Sequence, residues 1–353
     1  MPEIDQLLRA LKDIGGSDLH LAAGREPRIR VHGDLAPLEG QEVLDHERLM
    51  ALLEPIAADV HWREYVETND VDFAYGLEGV ARFRVNYFVQ EHGAAAAFRI
   101  IPETIIPLQD LKMPDAVGRL ADLRNGLVVV TGPTGSGKST TLAAIIHKIN
   151  SGSKRHIVTI EDPVEFVHQN RESVLSHREL GIHTKSFAAA LRSAVRQDAD
   201  VVLVGELRDR ETIAMAMTAA EMGTLVFGTL HTSGAAKTID RIIDAFPANE
   251  QPQVRLSLSE SLAAVVSQLL LPAAQGSGRV AVNEILLRTQ GLPNVIREGN
   301  TQMLESIIQS GKGEGMQGMD DALHEQLEAG RITPRDAYMK AREKSRFEAL
   351  IPD

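Results

Sequence analysis

Apolar residues recur at helical spacing at Ile4, Leu7, Leu8, Leu11 and Ile14, and Gly15-Gly16 ends the pattern, so the chain is expected to open with a helix. Its polar face is not strongly basic, which favours packing on the first domain over lying on a membrane surface. Gly16-Ser17-Asp18-Leu19-His20-Leu21 then opens a strand-rich region. Arg28 to His32 and Gly33-Asp34-Leu35 read as a hairpin with Gly-Asp in its turn. A helical stretch near 49–65 follows, then strands at 72–75, 81–86 and 95–101. Residues 1–101 therefore read as an α+β domain. Three prolines between Pro102 and Pro114 mark residues 102–114 as a linker.

From Asp115 the pattern alternates strand and helix, as in a parallel α/β sheet. Leu127-Val128-Val129-Val130, His156-Ile157-Val158-Thr159-Ile160, Val201-Val202-Leu203-Val204 and Leu225 to Leu230 are the expected strands. Helices are expected at 141–148, 187–196 and 212–222. Beyond Gln251 the chain reads as mainly helical, with one more strand at 279–287. Residues 115–353 thus form a second domain, with a helical appendage at about 290–353. Neither an internal repeat nor a low-complexity segment is visible.

Between the first of those strands and its helix lies Gly132-Pro133-Thr134-Gly135-Ser136-Gly137-Lys138-Ser139-Thr140. It fits G-x-x-x-x-G-K-[ST] in the strand–loop–helix context that this motif requires. The glycines let backbone N–H groups and the helix N-terminus wrap a triphosphate. Lys138 is placed to reach the β and γ phosphates, and the Ser139 hydroxyl to bind Mg²⁺. The chain is expected to bind a nucleoside triphosphate and Mg²⁺.

In open α/β sheets, ligands bind beyond the carboxyl ends of the strands. Here those ends carry Glu161, Asp162 and Glu165 on one strand, Glu206 on another and His231 on a third. An ATPase needs one carboxylate to organise Mg²⁺ and another to activate water. Glu206 suits the first role, the alternative being an N-cap for the next helix. Glu161 and Glu165 both suit the second. Asp162, before Pro163, also suits a turn cap. His231 reads as a γ-phosphate sensor, against the alternative of a core histidine. Arg82 and Arg84, two apart on a strand, share a face. Spacing alone leaves them and Arg99 as ordinary surface arginines.

Composition narrows the class. At 353 residues and 43% hydrophobic content the chain suits two globular domains. A net charge of −12, from 37 basic and 49 acidic residues, argues against a broad nucleic-acid surface. The absence of cysteine excludes disulfides and cysteine-ligated zinc. No apolar run approaches ~18 residues, so no direct membrane insertion is expected and any membrane association runs through a partner.

Four boxes stand in order: Gly132 to Thr140, Thr159-Ile160-Glu161-Asp162-Pro163-Val164-Glu165-Phe166, Gly205-Glu206-Leu207-Arg208-Asp209 and Gly228-Thr229-Leu230-His231-Thr232. Together they resemble the Walker A, Asp, Walker B and His boxes of the secretion-type hexameric ATPases, over nearly the whole chain. Ser17-Asp18-Leu19-His20 and Arg82-Phe83-Arg84-Val85-Asn86 are similar to that superfamily's PAS-like N-terminal domain. The nearest likeness is to the type IV pilus retraction ATPases. The tetracysteine insertion of assembly and secretion ATPases is lacking, Gly315-Met316-Gln317-Gly318-Met319-Asp320 looks like the retraction C-terminal region, and Asn294-Val295-Ile296-Arg297-Glu298 matches the second half of an Ala-Ile-Arg-Asn-Leu-Ile-Arg-Glu motif. Two departures touch the pilus-specific part: Gly291-Leu292-Pro293 replaces Ala-Ile-Arg, so that helix is expected to start later, and Glu91 stands where many relatives carry arginine.

The resemblance implies a RecA-like P-loop ATPase domain behind a smaller PAS-like domain. It implies a cytoplasmic homohexamer, peripheral at the inner membrane, that works on the pilus platform protein and indirectly on the pilus fibre. ATP would lie between the two domains of one subunit, with Arg82, Arg84 and Arg99 lending positive charge. Alternatives are an accessory retraction ATPase, a type IV secretion ATPase, or an ATP-gated scaffold with little turnover. The acidic charge disfavours a DNA translocase.

Overall fold

The computed structural model describes residues 2–31, 33–101, 104–276 and 278–351. The chain gathers into two compact units. The first comprises Met1–Thr104 with Asp162–Val167 and Glu179–His183; the second comprises Ile105–Glu161, His168–Arg178 and Thr184–Asp353.

The first unit runs α1 (Ile4–Asp13), β1 (Asp18–Ala22), β2 (Arg28–Val31), β3 (Asp34–Pro37), α2 (His46–Leu53), α3 (Asp59–Thr68), β4 (Asp70–Leu77), β5 (Ala81–Gln90) and β6 (Gly93–Ile101). Its antiparallel sheet has the order β3-β2-β1-β6-β5-β4. Strand alternation sends Phe83, Val85 and Tyr87 of β5 into the core, beside Phe73 of β4 and Phe98 of β6. The Phe73 and Tyr87 rings meet edge-on, with centroids 5.0 Å apart. Helix α1 buries the Ile4, Leu7, Leu8 and Leu11 stripe that its spacing predicts, and its buried Asp5 accepts the Tyr75 hydroxyl at 2.7 Å.

Two local expectations change. The single helix near 49–65 is two helices, because Pro55 lies in a 3₁₀ turn at Glu54–Ile56 that interrupts the α-helical hydrogen bonding. In the hairpin Val31 pairs with Asp34, so Asp34 is a strand residue rather than part of the turn. Gly33 takes φ 98°, and His32 lies outside the described residues.

The second unit runs α4 (Asp115–Arg119), β7 (Gly126–Thr131), α5 (Lys138–Gly152), β8 (His156–Glu161), β9 (Val174–Glu179), α6 (Phe187–Arg196), β10 (Val201–Val204), α7 (Arg210–Glu221), β11 (Leu225–Leu230), α8 (Ala235–Asp244), α9 (Gln251–Ser261), β12 (Leu262–Pro272) and β13 (Arg279–Leu287). The appendage adds α10 (Leu292–Glu298), α11 (Leu304–Ser310), α12 (Met319–Glu328), α13 (Pro334–Lys340) and α14 (Ser345–Glu348). The sheet order is β13-β12-β7-β11-β10-β8-β9. Strands β8, β10, β11, β7 and β12 run parallel, and β13 turns back against β12. Every residue of β7, β10 and β11 is buried, which explains their continuous apolar runs.

Strand β12 overturns the expectation that the chain beyond Gln251 is helical until 279. Its run from Leu262 to Leu271 is apolar on both faces except at Ser267 and Gln268, and it follows α9 without a Gly or Pro break. Periodicity cannot separate a buried strand from a buried helix in such a run. Strand β9 is polar and carries no alternation, so nothing in its pattern announced it. Residues 105–114 are not a free tether: Leu108 is buried in the second core, with Leu111 and Met113 packed against it. Pro102 and Glu103 lie outside the described residues. The appendage packs Met319, Leu323, Ala337 and Phe347 around Leu271 and Val282. Helix α10 starts at Leu292 with Pro293 in its first turn, where the missing N–H has no helical partner to lose. Among the described residues no helix is long and apolar enough to cross a membrane.

Replacing Phe83 by Ala should destabilise the first unit by about 3–5 kcal/mol. Val89→Ala, on the same strand but exposed, should stay within about 0.5 kcal/mol. Urea unfolding of both variants checks the contrast.

Candidate active site

The phosphate loop leaves β7 at Thr131 and enters α5 at Lys138. Gly132 and Gly137 take φ 143° and 84°, and each abuts β12: a Cβ on Gly132 would lie 2.2 Å from the Gln268 carbonyl oxygen, and one on Gly137 2.9 Å from its side-chain nitrogen. Glycine is needed here for close approach as well as for conformation. Gly137 offers no side chain to cap α5, whose first N–H groups stay available to an anion. The buried Ser136 hydroxyl has no hydrogen-bond partner among the described residues. Lys138 Nζ donates to the carbonyls of Gly132, at 2.9 Å, and Pro133, at 3.1 Å. Pro133, Thr134, Gly135 and Ser139 are exposed and Thr140 is half-buried. An orphaned hydroxyl, a bare helix start and two glycines, Gly132 and Gly137, with no room for a Cβ fit a phosphate chain.

Strand register lines up the other groups. Leu230 pairs with Thr131, Val204 with Gly228 and Val204 with Ile160, so the chain beyond all four strands emerges on one edge. There Glu206 is shared between Arg208 Nε, 2.7 Å from one carboxylate oxygen, and His231 Nε2, 3.5 Å from the other. His231 Nδ1 lies 3.5 Å from Lys138 Nζ. An Arg208–Glu206–His231–Lys138 series therefore crosses the edge. The capping alternative for Glu206 is taken up by Asp209, which accepts the Thr212 N–H at 2.8 Å. His231 has a side chain 46% exposed and is no core histidine. Glu161 ends β8, and a Cβ on neighbouring Gly205 would sit 3.3 Å from its Cα. Glu165 lies in the Asp162–Val167 segment, which belongs to the first unit.

The three arginines also belong to the first unit. Arg82 donates to the Val164 carbonyl at 3.0 Å and pairs with buried Glu179 at 3.2 Å; Glu179 also accepts the Val164 N–H at 3.0 Å. Arg82 thereby ties two later segments of the chain to β5, a role invisible in its spacing. Arg84 pairs with Asp72 at 3.4 Å and faces Arg99 across the β5–β6 ladder. Arg99, 73% exposed, pairs with Asp18 at 2.8 Å. Burial raises the Asp18 pKa, but bonds from Ser17 and Arg99 outweigh it and hold the carboxyl below its usual value.

Sequence reasoning missed the groups that brace this edge. Gln268, 1% exposed, accepts from Thr141 Oγ1 at 2.8 Å and Asn283 Nδ2 at 3.1 Å, and donates to the Ser136 carbonyl at 2.6 Å. The one available signal was a polar pair, Ser267-Gln268, inside an apolar run, answered by Asn283-Glu284 on the next strand. Behind β8, His168 and His177 stack with centroids 5.9 Å apart. The His168 N–H donates to His177 Nε2 at 3.0 Å, so that nitrogen carries no proton and Nδ1 donates to Thr159 Oγ1 at 2.8 Å. Burial, reinforced by His177 and His147, pushes the His168 pKa down to about 4.

A family model described as type II/IV secretion system protein matches residues 3–333. The chain is 47% identical over 345 residues to the type IV pilus retraction ATPase PilT of Pseudomonas aeruginosa, covering 98% of this chain and 100% of the relative. It is 51% identical over 315 residues to the twitching motility protein of Neisseria gonorrhoeae, covering 89% and 84%. The crystal structure of the pilus retraction motor PilT with bound ADP matches with a TM-score of 0.90 at 41% identity, over 99% of this chain and 100% of that one.

Gln268→Leu strips partners from Thr141, Asn283 and the Ser136 carbonyl, so nucleotide affinity should fall by about tenfold or more; ADP titration measures it. For His168, the folded ring stays neutral while the unfolded one protonates near 6.5. Its contribution is complete above that pH and is lost as pH falls toward 4, by about 2 kcal/mol at pH 5. Urea midpoints at pH 7.5 and 5 should converge in His168→Leu relative to the wild type.

Proposed function

This chain belongs to the type II/IV secretion system protein family, and from that premise we propose that it is an ATP-hydrolysing motor that powers type IV pilus retraction and twitching motility. The observation that most supports this reading is a likeness to the retraction motor that extends over the full chain in both sequence and fold.

In this reading Lys138 exchanges its two loop carbonyls for the β and γ phosphates, and the Ser136 hydroxyl and the α5 N–H groups complete the cradle. Ser139 and Glu206 would hold Mg²⁺, which would supply charge neutralisation for the phosphates. Glu161 or Glu165 accepts the proton of the attacking water. His231 touches both Glu206 and Lys138, so a γ-phosphate drawn to Lys138 alters the contacts of Glu206 as well. Arg82, Arg84 and Arg99 enter as nucleotide-binding groups on motif position.

Six copies form a ring in the cytoplasm, peripheral at the inner membrane through the pilus machine. The ring works on the inner-membrane platform protein and, through it, on the pilus fibre. Nucleic acid has no part in the cycle.

Steady-state ATPase activity and oligomer mass test the reading. The wild type should turn over as a hexamer, and Glu206→Gln should lower turnover by about a hundredfold or more while the ring persists. A ring-forming wild type without turnover would favour an ATP-gated scaffold. Loss of twitching with pili retained in a deletion strain would separate retraction from assembly and secretion.

A further inference from the structure

Given the ATPase reading above, on which this inference rests, we propose that Arg342 is a positioning residue for His231: through Glu284 it ties the C-terminal helices to the strand-end segment that carries the sensor and so sets the rate of turnover. Residues 231–235 lead from β11 into α8, and their backbone is held at three points. The Thr232 N–H donates to Thr131 Oγ1 at 2.9 Å, the Gly234 N–H to Ser267 Oγ at 2.9 Å and the Ala235 N–H to Glu284 Oε1 at 2.7 Å. Ser267 and Glu284 are cross-strand partners on β12 and β13.

Glu284 is 2% exposed. One of its oxygens caps α8, where the helix dipole favours negative charge, and the other meets the Arg342 guanidinium at 2.8 Å. Without Arg342, a buried carboxylate is left with the cap alone, an arrangement that drives the segment to move. The guanidinium also lies against the segment itself. Gly234 has φ 97°, and a Cβ there would stand 2.2 Å from Arg342. Arg342 is held from the far side, since its own N–H and that of Glu343 donate to Asp320, in the first turn of α12, at 2.9 and 2.8 Å. A connected path thus runs from α12 through Arg342 and Glu284 to the segment of His231.

The neighbouring rung of the same ladder is Gln268 with Asn283, which braces the phosphate loop, and Gln317 donates to the Asn283 carbonyl at 2.7 Å. The two loops at the nucleotide edge rest on adjacent rungs with separate contacts to the appendage. Loosening the Glu284 rung should misplace His231 against Lys138 and Glu206 and leave the phosphate cradle braced. Rate should therefore fall without a matching loss of nucleotide affinity.

The test measures kcat, KM for ATP and Kd for ADP on the full chain. Arg342→Gln should lower kcat about tenfold, since misplacements on the order of 1 Å are enough to slow turnover by that much or more, and ADP affinity should hold within about twofold. Arg342→Lys should recover most of the rate. Glu284→Gln keeps an acceptor for Ala235 and should show the same kcat loss, with the double variant falling no further than either single one. Arg346→Gln removes a guanidinium that pairs with Asp321 at 2.9 Å in the same appendage without touching Glu284, and should keep the wild-type rate. Wild-type kcat in Arg342→Gln, an equal loss in Arg346→Gln, or ADP affinity falling as far as kcat would each overturn the latch. A wild type with no turnover would overturn the latch and the ATPase reading together, whereas a working enzyme indifferent to Arg342 would overturn the latch alone.

Discussion

A loop that offers most of its backbone N–H groups to a ligand has few left to hold itself, and here the Ser136 N–H donates to the Pro133 carbonyl at 3.2 Å. The stretch from Gly132 to Gly137 is braced from outside, by β12. The Gln268 carbonyl closes on Gly132, and the Gln268 carboxamide spans Ser136, Thr141 and Asn283. Because Gln268 is buried, each of those bonds forms where water cannot replace it, which makes the cradle stiff before any ligand arrives. The glycines allow the approach, and the neighbouring strand makes it rigid.

The same logic organises the strand-end carboxylates. Four parallel strands in register bring Gly132, Glu161, Glu206 and His231 to one edge without any of them being near another in sequence. Glycines at 205 and 228 let the chain cross closely there: a Cβ on Gly228 would collide with Leu207 at 2.8 Å. The edge is thus a packing solution first, and its chemistry depends on that packing. Adjacent polar rungs of β12 and β13 then hold the phosphate loop and the His231 segment through separate contacts.

The first unit has its own version of this economy. On β5 and β6 the sheet keeps Phe83, Tyr87 and Phe98 on one face and Arg82, Arg84 and Arg99 on the other, and Arg82 uses its charge to anchor Val164 and Glu179, which come from far along the chain. A residue read as a phosphate contact therefore also secures chain segments, and substituting it disturbs both. Arg84 and Arg99, more exposed and each paired with one acid, carry less of that structural burden.

By itself, the sequence determined the phosphate loop, the strands that flank it, the carboxylates and histidine at their ends, and the family, because each of these is a local pattern with a physical meaning: a glycine spacing, an apolar run, a polar residue just past it. The polar pairs Ser267-Gln268 and Asn283-Glu284 stood out inside apolar runs, but the bonds of Glu284 to Ala235 and Arg342, those of Gln268 to Ser136 and Thr141, the Arg82–Glu179 pair and the stacked His168 and His177 were not legible. Each joins residues that no period or motif relates, so only the tertiary structure could decide them. Strand β12 marks the boundary between the two. Its apolar run guaranteed burial, but whether that burial took the form of helix or strand was settled by the unfilled edge of β7, a partner over a hundred residues away in the chain.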